Sequence, residues 1–440
     1  MNVNTPKQRF SGAGGGAGTS PPVMPPGMPP LPPTFPPGVN PETYKVEEVT
    51  KLLKSAAYFP IFNVANPSRP NQVVPLLQGV PLLDRLLMVA VEVNEQLHRF
   101  EVNVEAEGGF LRASNTVGEP VAGVHIRWTP IPENFEAAPN LCPPPTILNP
   151  FASQRFTMLN GRLSFMDSGG SGFHGFGTGR TFPVEGNFGQ LRIGAVIDIL
   201  EGFGKFKGLP GTAVINGYIQ PPDNLALNLM VRVMDPEGRL RADSPPAPIR
   251  PIADPDPGAT FMVFLGEPDP SKPVVLNVAP DGTILGSRVH ELLRLVHLGF
   301  DAGTPAGLRS RTVEGPVVGS VSATLLFNPM SPQSVSPIQT TDGVFNFFDG
   351  GGRVLGTLAS DMVEGRAMRT ELAGAPMPVF RFGGFGPVTG GTGEFGGAGG
   401  MMTMNSAVSV FPRTLSNLYI FRLTDPGGRF RAAARRAWQG

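Results

Sequence analysis

Residues 388–400 read VTGGTGEFGGAGG, seven glycines in thirteen positions. Three structures could underlie such a run: a loop that cradles a phosphate, an unstructured tract, or strands pressed so closely that only glycine fits. The stretch contains Gly391-x-Gly393-x-x-Gly396, the spacing of a dinucleotide fingerprint. That fingerprint needs a helix behind the glycines, because the helix N-terminus holds the pyrophosphate. Here MMTMNSAVSV follows, which reads as a strand, and no acidic residue stands about twenty positions on to hold a ribose. A second run, EGFGKFKGLPG at 201–211, carries the same skeleton. Both read G-x-G-x-F-x-G-x-x-G: Gly202, Gly204, Phe206, Gly208 and Gly211, then Gly391, Gly393, Phe395, Gly397 and Gly400. Lys207 stands where the nucleotide motif would need its third glycine. The shared pattern fits a hairpin corner with one inward aromatic and glycines where backbones approach or bend.

The repetition extends outward from there. FEVNVEAEGGFL (100–111) matches VVLNVAPDGTIL (274–285), and GEPVAGVHIRWTPIP (118–132) matches EGPVVGSVSATLLFNP (314–329). GRLSFMDSGG (161–170) matches GVFNFFDGGG (343–352), and VRVMDPEGRLRA (231–242) matches FRLTDPGGRFRA (421–432). With the glycine block these make five matches in one order, which reads as a tandem duplication of a whole domain rather than a solenoid repeat. SPPAPIRPIADPDPG (244–258) is a connector that resists helix and central strand alike. The expected organisation is a disordered Pro/Gly-rich arm over 1–45, a short helix and connector over 46–69, one copy over 70–243, the linker 244–258, and a second copy over 259–440. The arm holds ten prolines between Pro21 and Pro37, which favours polyproline II.

Inside the copies the hydrophobic period is two. GRLSFM, LALNLMVRVM, VFNFF and NLYIFRL are short runs rich in β-branched and aromatic residues. The Asp235-Pro-Glu-Gly and Asp425-Pro-Gly-Gly sequences suit type I turns. Helical spacing is confined to 46–59, ended by Pro60, and to 287–298. The expected fold class is all-β: two tandem antiparallel β-barrels of similar fold after the arm.

Composition excludes several classes. Lys+Arg and Asp+Glu both number 35, and no basic stripe marks a nucleic-acid partner. The single cysteine, Cys142, rules out an intrachain disulfide framework and a cysteine-based zinc site. His290 and His297 lie seven apart without an acidic third ligand, so neither a metal nor another cofactor is expected. The chain has no apolar stretch of membrane-spanning length, and a cytoplasmic location is the default expectation. Its low charge content, 16% with net zero, favours self-association, so a homo-oligomer is expected.

The block VTGGTGEFGGAGG and the strand after it resemble the glycine-rich segment of the allene oxide cyclase and dirigent barrel families, and ILEGFGKFKGLPG is a looser version. The resemblance covers about 25 residues of each copy. It implies an eight-stranded antiparallel barrel that encloses an apolar ligand and does little covalent chemistry. No pocket residue of those families finds a matching motif here, so none is carried over.

Candidate site residues follow from position. Asp167 and Asp349 end aromatic strands before Gly pairs, where each could serve as a barrel-mouth acid or simply begin an Asx turn. Arg239 and Arg241, with Arg429 and Arg431, alternate as on a strand face. Arg239 and Arg429 could grip a ligand carboxylate, although an outward, solvated face is the plainer reading. Phe165, Phe176 and Phe347 are the aromatic candidates for lining an apolar cavity, against the plainer reading of barrel core. Two functions stay open: a barrel that binds an apolar small molecule, as a cyclase or isomerase of a polyene or phenolic substrate, and a non-catalytic assembly protein with solid barrels. A cavity with buried titratable groups would separate them.

Overall fold

The computed structural model describes residues 45–65, 102–103, 111–114, 120–131, 154–165, 169–184, 191–220, 224–241, 258–272, 275–278, 284–301, 308–327, 336–375, 378–409 and 414–438, all within one compact unit, Pro41–Gly440. The arm and linker lie outside the described residues apart from Lys45 and Gly258, as does Asp167.

Helix α1 (Val46–Lys54) opens with Glu47 and Glu48 and closes with Lys51 and Lys54, which complements its dipole. It stops at Lys54 rather than running to Phe59. From Ala56 the pattern changes period: Ala57, Phe59 and Ile61 turn one way, Ala56 and Tyr58 the other. That alternation makes strand β1 (Ala56–Ala65), with Pro60 inside it, so barrel pairing starts well before residue 70.

Barrel 1 continues through β2 (Val102–Asn103), β3 (Leu111–Ser114), β4 (Pro120–Ile131), β5 (Gln154–Phe165), β6 (Gly172–Pro183), β7 (Leu191–Phe203), β8 (Gly211–Gln220) and β9 (Asn224–Met234). The antiparallel ring runs β1-β3-β4-β5-β6-β7-β8-β9 and closes from β9 to β1. Barrel 2 comprises β10 (Ala259–Pro268), β11 (Val275–Val278), β12 (Ile284–Asp301), β13 (Arg309–Phe327), β14 (Ser336–Phe348), β15 (Val354–Ser360), β16 (Glu364–Thr370), β17 (Val379–Gly393), β18 (Gly400–Ser409) and β19 (Thr414–Thr424). Its ring is β10-β12-β13-β14-β15-β17-β18-β19, closed from β19 to β10, with β16 extending the place of β15 between β14 and β17. The two rings share one strand order, each with eight strands. Closure leaves neither ring an open sheet edge.

The glycine-rich corners connect β7 to β8 and β17 to β18. Phe206 and Phe395 are fully buried in their barrels. Gly204 and Gly393 take φ of +58° and +59°, which a side chain would strain. A Cβ on Gly202 or Gly391 would lie 2.1 or 2.4 Å from the carbonyl oxygen of Phe206 or Phe395. At both corners strand follows strand, and glycine serves close approach. At both Asp-Pro-x-Gly sequences the glycine N–H donates to the aspartate carbonyl, at 3.1 Å for Gly238 and 3.0 Å for Gly428.

Segment 287–298, expected as a helix, lies within β12 and pairs with β10 and β13. Arg429 and Arg431 do not alternate on a strand either; they open helix α2 (Arg429–Trp438). Arg239 sits in the turn after β9, and Arg241 bridges to Ser310.

The barrels pack outer face to outer face around a third apolar core, with Val196, Val214 and Met230 of barrel 1 against Phe385, Met401 and Ile420 of barrel 2. Polar contacts across this seam are reciprocal. Asn216 Nδ2 donates to the Met401 carbonyl at 2.9 Å, and Asn405 Nδ2 donates to the Thr212 carbonyl at 2.7 Å. Counted from the glycine corners, Asn216 corresponds to Asn405 and Thr212 to Met401. Likewise a Cβ on Gly194 would strike Phe385, and one on Gly383 would strike Val196. This is the isologous pattern of a two-fold dimer interface, here within one chain. Either Asn→Ala change is expected to cost about 1–3 kcal/mol in urea unfolding, because each orphans a buried carbonyl. A silent Asn216 beside a costly Asn405 would show that the symmetry is geometric only.

One further contact interlocks the barrels. Phe300 and Leu308, at the turn end of the β12–β13 hairpin, enter the core of barrel 1. The Phe300 ring lies 5.4 Å from Phe59 and 5.8 Å from Phe165. Ser310 N donates to Leu240 O at 2.6 Å, and Tyr58 N donates to Ser310 Oγ at 2.9 Å. A segment of barrel 2 thus closes one end of barrel 1.

Candidate functional site

Strand β12 alternates within its barrel, so Val289, Glu291 and Leu293 face inward together. Glu291 is a wholly buried acid in an apolar core built from Phe264, Val321, Phe345 and Met404. Its Oε1 accepts from Asn417 Nδ2 at 2.7 Å and from the Tyr419 hydroxyl at 3.0 Å. Asn417 Oδ1 in turn accepts from Ser406, and the Tyr419 ring meets Phe345 edge-on at 5.1 Å. Glu291 Oε2 has no hydrogen-bond partner among the described residues. Room for that oxygen comes from Gly266, where a Cβ would lie 2.0 Å from Oε2.

Burial pushes the Glu291 carboxyl up to about 8, against the opposing pull of its hydrogen bonds from Tyr419 and Asn417. It therefore carries its proton at neutral pH. Burial, together with the facing Glu291, also raises Tyr419 well above the ordinary phenol. The arrangement is a neutral carboxylic acid held by two donors on one oxygen, a state that can donate a hydrogen bond inside an apolar core.

At the matched positions barrel 1 does not repeat this set. Matched by pairing register, Leu227, Leu229 and Gly217 stand where barrel 2 has Asn417, Tyr419 and Ser406. Its interior is an aromatic cluster in which Phe165 stacks on Phe206 at 5.3 Å and 9°.

The residues singled out from sequence disperse. Phe165 and Phe347 face the interiors of barrels 1 and 2. Phe176 lies on the outer side of β6 beneath the Arg366 guanidinium, 4.9 Å from its ring centre. Asp349 Oδ1 accepts from Gly351 N at 3.0 Å and Arg353 N at 2.9 Å, which is Asx-turn geometry. Arg239 Nη1 donates to the Lys207 carbonyl at 3.1 Å. Arg429 donates to the Gly396 carbonyl and covers the Phe430 ring at 4.6 Å. Of these, only Phe347 belongs to the core of the barrel that holds Glu291, an acid the helical reading of 287–298 left out. Alternation from Val289 to Leu295 was the available signal.

Two other polar features lie outside the barrels. Arg381 and Asp198 pair at 2.9 Å across the seam; burial raises the Asp198 carboxyl and lowers the Arg381 guanidinium. A groove of about 230 Å³ runs past Lys54, Tyr58, Arg241, Leu265, Ser310 and Glu314 on the outside of β10. Its charges are matched, since Lys54 and Arg294 each pair with both Glu267 and Glu314. Among the described residues no group of three or more His, Cys, Asp or Glu could hold a metal ion. No described helix is long and apolar enough to cross a membrane.

No protein-family model matches the chain, and no curated protein matches it. Among solved structures, a pterocarpan synthase dirigent protein aligns with 38% of this chain and 86% of its own, at 17% identity and a TM-score of 0.23.

Proposed function

We propose that barrel 2 holds a small apolar ligand against the protonated Glu291, and that any turnover is a cyclisation or isomerisation of a polyene or phenolic compound steered by the barrel walls. In this reading Glu291 donates to an acceptor oxygen of the ligand, and Tyr419 and Asn417 orient the carboxyl. Phe345 and Phe347 supply the apolar wall. The observation that carries the reading is the unpartnered Oε2 of a fully buried, neutral acid. A buried polar group without a partner costs free energy, so its retention in barrel 2, beside donors whose matched positions in barrel 1 are Leu227 and Leu229, suggests use. Barrel 1 is then the scaffold. The same strand order and the reciprocal Asn216 and Asn405 contacts support descent from a tandem-duplicated allene oxide cyclase or dirigent-like barrel, fused as a former dimer.

The competing reading is a non-catalytic assembly protein. The aromatic filling of barrel 1, reinforced by Phe300 from barrel 2, favours it.

A matched pair of probes separates the two. At pH 6.5 the full-length protein is expected to bind 2-acetylnaphthalene about tenfold more tightly than 2-ethylnaphthalene, the effect of one buried hydrogen bond. That preference should vanish in Glu291→Leu and fade above pH 8. Failure of both probes to bind, or a preference that survives in the leucine variant, would leave the assembly reading.

A further inference from the structure

Helix α2, RFRAAARRAW, closes the end of barrel 2 with Phe430, Ala433 and Ala434 in the barrel core. Phe430 lies parallel to Phe395 at 6.2 Å and 12°, and Phe395 meets Phe347 at 4.9 Å. The helix carries four arginines and no acid. Arg435 and Arg436 in the last turn suit the helix dipole, but Arg429 and Arg431 in the first turn oppose it. Helix stability alone therefore does not account for this basicity. The arginines do, however, tie the helix to the barrel rim: Arg431 donates to the Ala259 carbonyl at 2.7 Å, Arg429 to the Gly396 carbonyl, and Arg436 pairs with Glu394. Arg429, Arg435 and Arg436 are exposed.

We propose that α2 is a lid over barrel 2 that an anionic lipid surface lifts. The bilayer's phosphates would compete for the arginines that fasten the helix to Glu394 and Gly396. A polyanion could supply the charge, but only a bilayer interface also gives Phe430, Ala433 and Ala434 an apolar place to go once they leave the barrel. The occupant is therefore a membrane rather than a nucleic acid or a free phosphate. What passes through the opened end rests on the ligand reading above: a compound apolar enough for the barrel core resides in membranes, and this end would admit it from there. The lid itself is a separate claim with its own readout.

The chain has two tryptophans, so Trp128→Phe leaves Trp438, in α2, as the single fluorophore. This full-length variant is mixed at low salt with phosphatidylcholine vesicles, with or without about 30 mol% phosphatidylglycerol. The expected result is co-sedimentation with anionic vesicles only, a blue shift of Trp438 emission, and reversal by salt. Each arginine near the surface strengthens partition about fivefold. Arg435→Gln with Arg436→Gln should thus cut partition more than tenfold at unchanged circular dichroism. Glu394→Gln, which frees Arg436 while removing a rim tie, should strengthen it. Equal binding to neutral vesicles, no binding to anionic ones, or a Glu394→Gln variant that binds no better would overturn the proposal. So would an equal shift of Trp438 on adding heparin or inorganic phosphate without lipid. In a Glu291→Leu background the vesicle response should be unchanged, so loss of the ligand reading and loss of the lid give different results.

Discussion

Replacing Arg232 with alanine is expected to destabilise the protein by about 3–5 kcal/mol, the scale for removing a buried charged group from its partners. The Arg232 guanidinium is 2% exposed at the meeting point of α1, barrel 1 and barrel 2. It donates to the carbonyls of Leu53 at 2.9 Å, Asn405 at 2.9 Å and Ser416 at 2.6 Å, and to Ser416 Oγ at 3.1 Å. It also lies 5.6 Å from the centre of the Tyr58 ring. Alanine would leave those carbonyls without their donor in the seam and open a cavity besides. Burial lowers the guanidinium's pKa, and the three carbonyl dipoles and the Tyr58 ring face replace part of the hydration it loses. Lysine should rescue little, because one ammonium cannot serve acceptors spread around a planar fork. Urea unfolding measures the cost. An unchanged midpoint in Arg232→Ala would mean that the seam is held by its apolar contacts alone.

A second large effect is expected from Glu291→Gln, as a change in pH dependence. The folded protein holds the Glu291 proton to about pH 8, whereas an unperturbed glutamate releases it near 4.5. Below pH 4.5 both states are protonated and the fold bears no penalty. Between there and pH 8 the unfolded chain sheds a proton that the folded chain keeps, so stability falls as pH rises, by up to about tenfold in the folding constant per unit. Above pH 8 the decline levels off. Glutamine has no proton to lose, so the variant should gain on the parent steadily across this window. Taking the difference between the two proteins cancels the titration of remote groups such as His297 and Asp198. Parallel stability curves from pH 5 to 8 would show that Glu291 is charged and hydrated in the fold.

The barrels were legible from sequence because their corners use chemistry with few alternatives. Gly204 and Gly393 need left-handed backbone, and Phe206 and Phe395 occupy matching inward sites. The Asp-Pro-x-Gly turns read correctly for the same reason. Strand β12 was illegible because its buried residues change partner along its length and change phase at a register shift. Leu293 and Leu295 point into barrel 2, Val296 and Leu298 join the seam between barrels, and Phe300 enters barrel 1. Register also shifts around Arg294. The irregularity interrupts the alternation that runs from Val289 to Leu295, and the apolar positions on its two sides fall at helical spacing. The candidate site went unseen with it. Arg232 was hidden likewise: on an isolated barrel it would sit on the outer, solvated face, and only the second barrel buries it.

The contribution of Phe300 and Leu308 to barrel 1 also constrains how the chain is made. During synthesis the strands of barrel 1 are complete once Met234 has emerged, but the residues that close its end are still some seventy positions away on the ribosome. Phe59, Phe165 and Phe206 must wait with one side of their cluster uncovered until the β12–β13 hairpin arrives. Vectorial, one-domain-at-a-time folding is therefore closed to this protein. Its N-terminal half depends on its C-terminal half for a finished core, and an interrupted translation product would expose aromatic surface of the kind that chaperones bind.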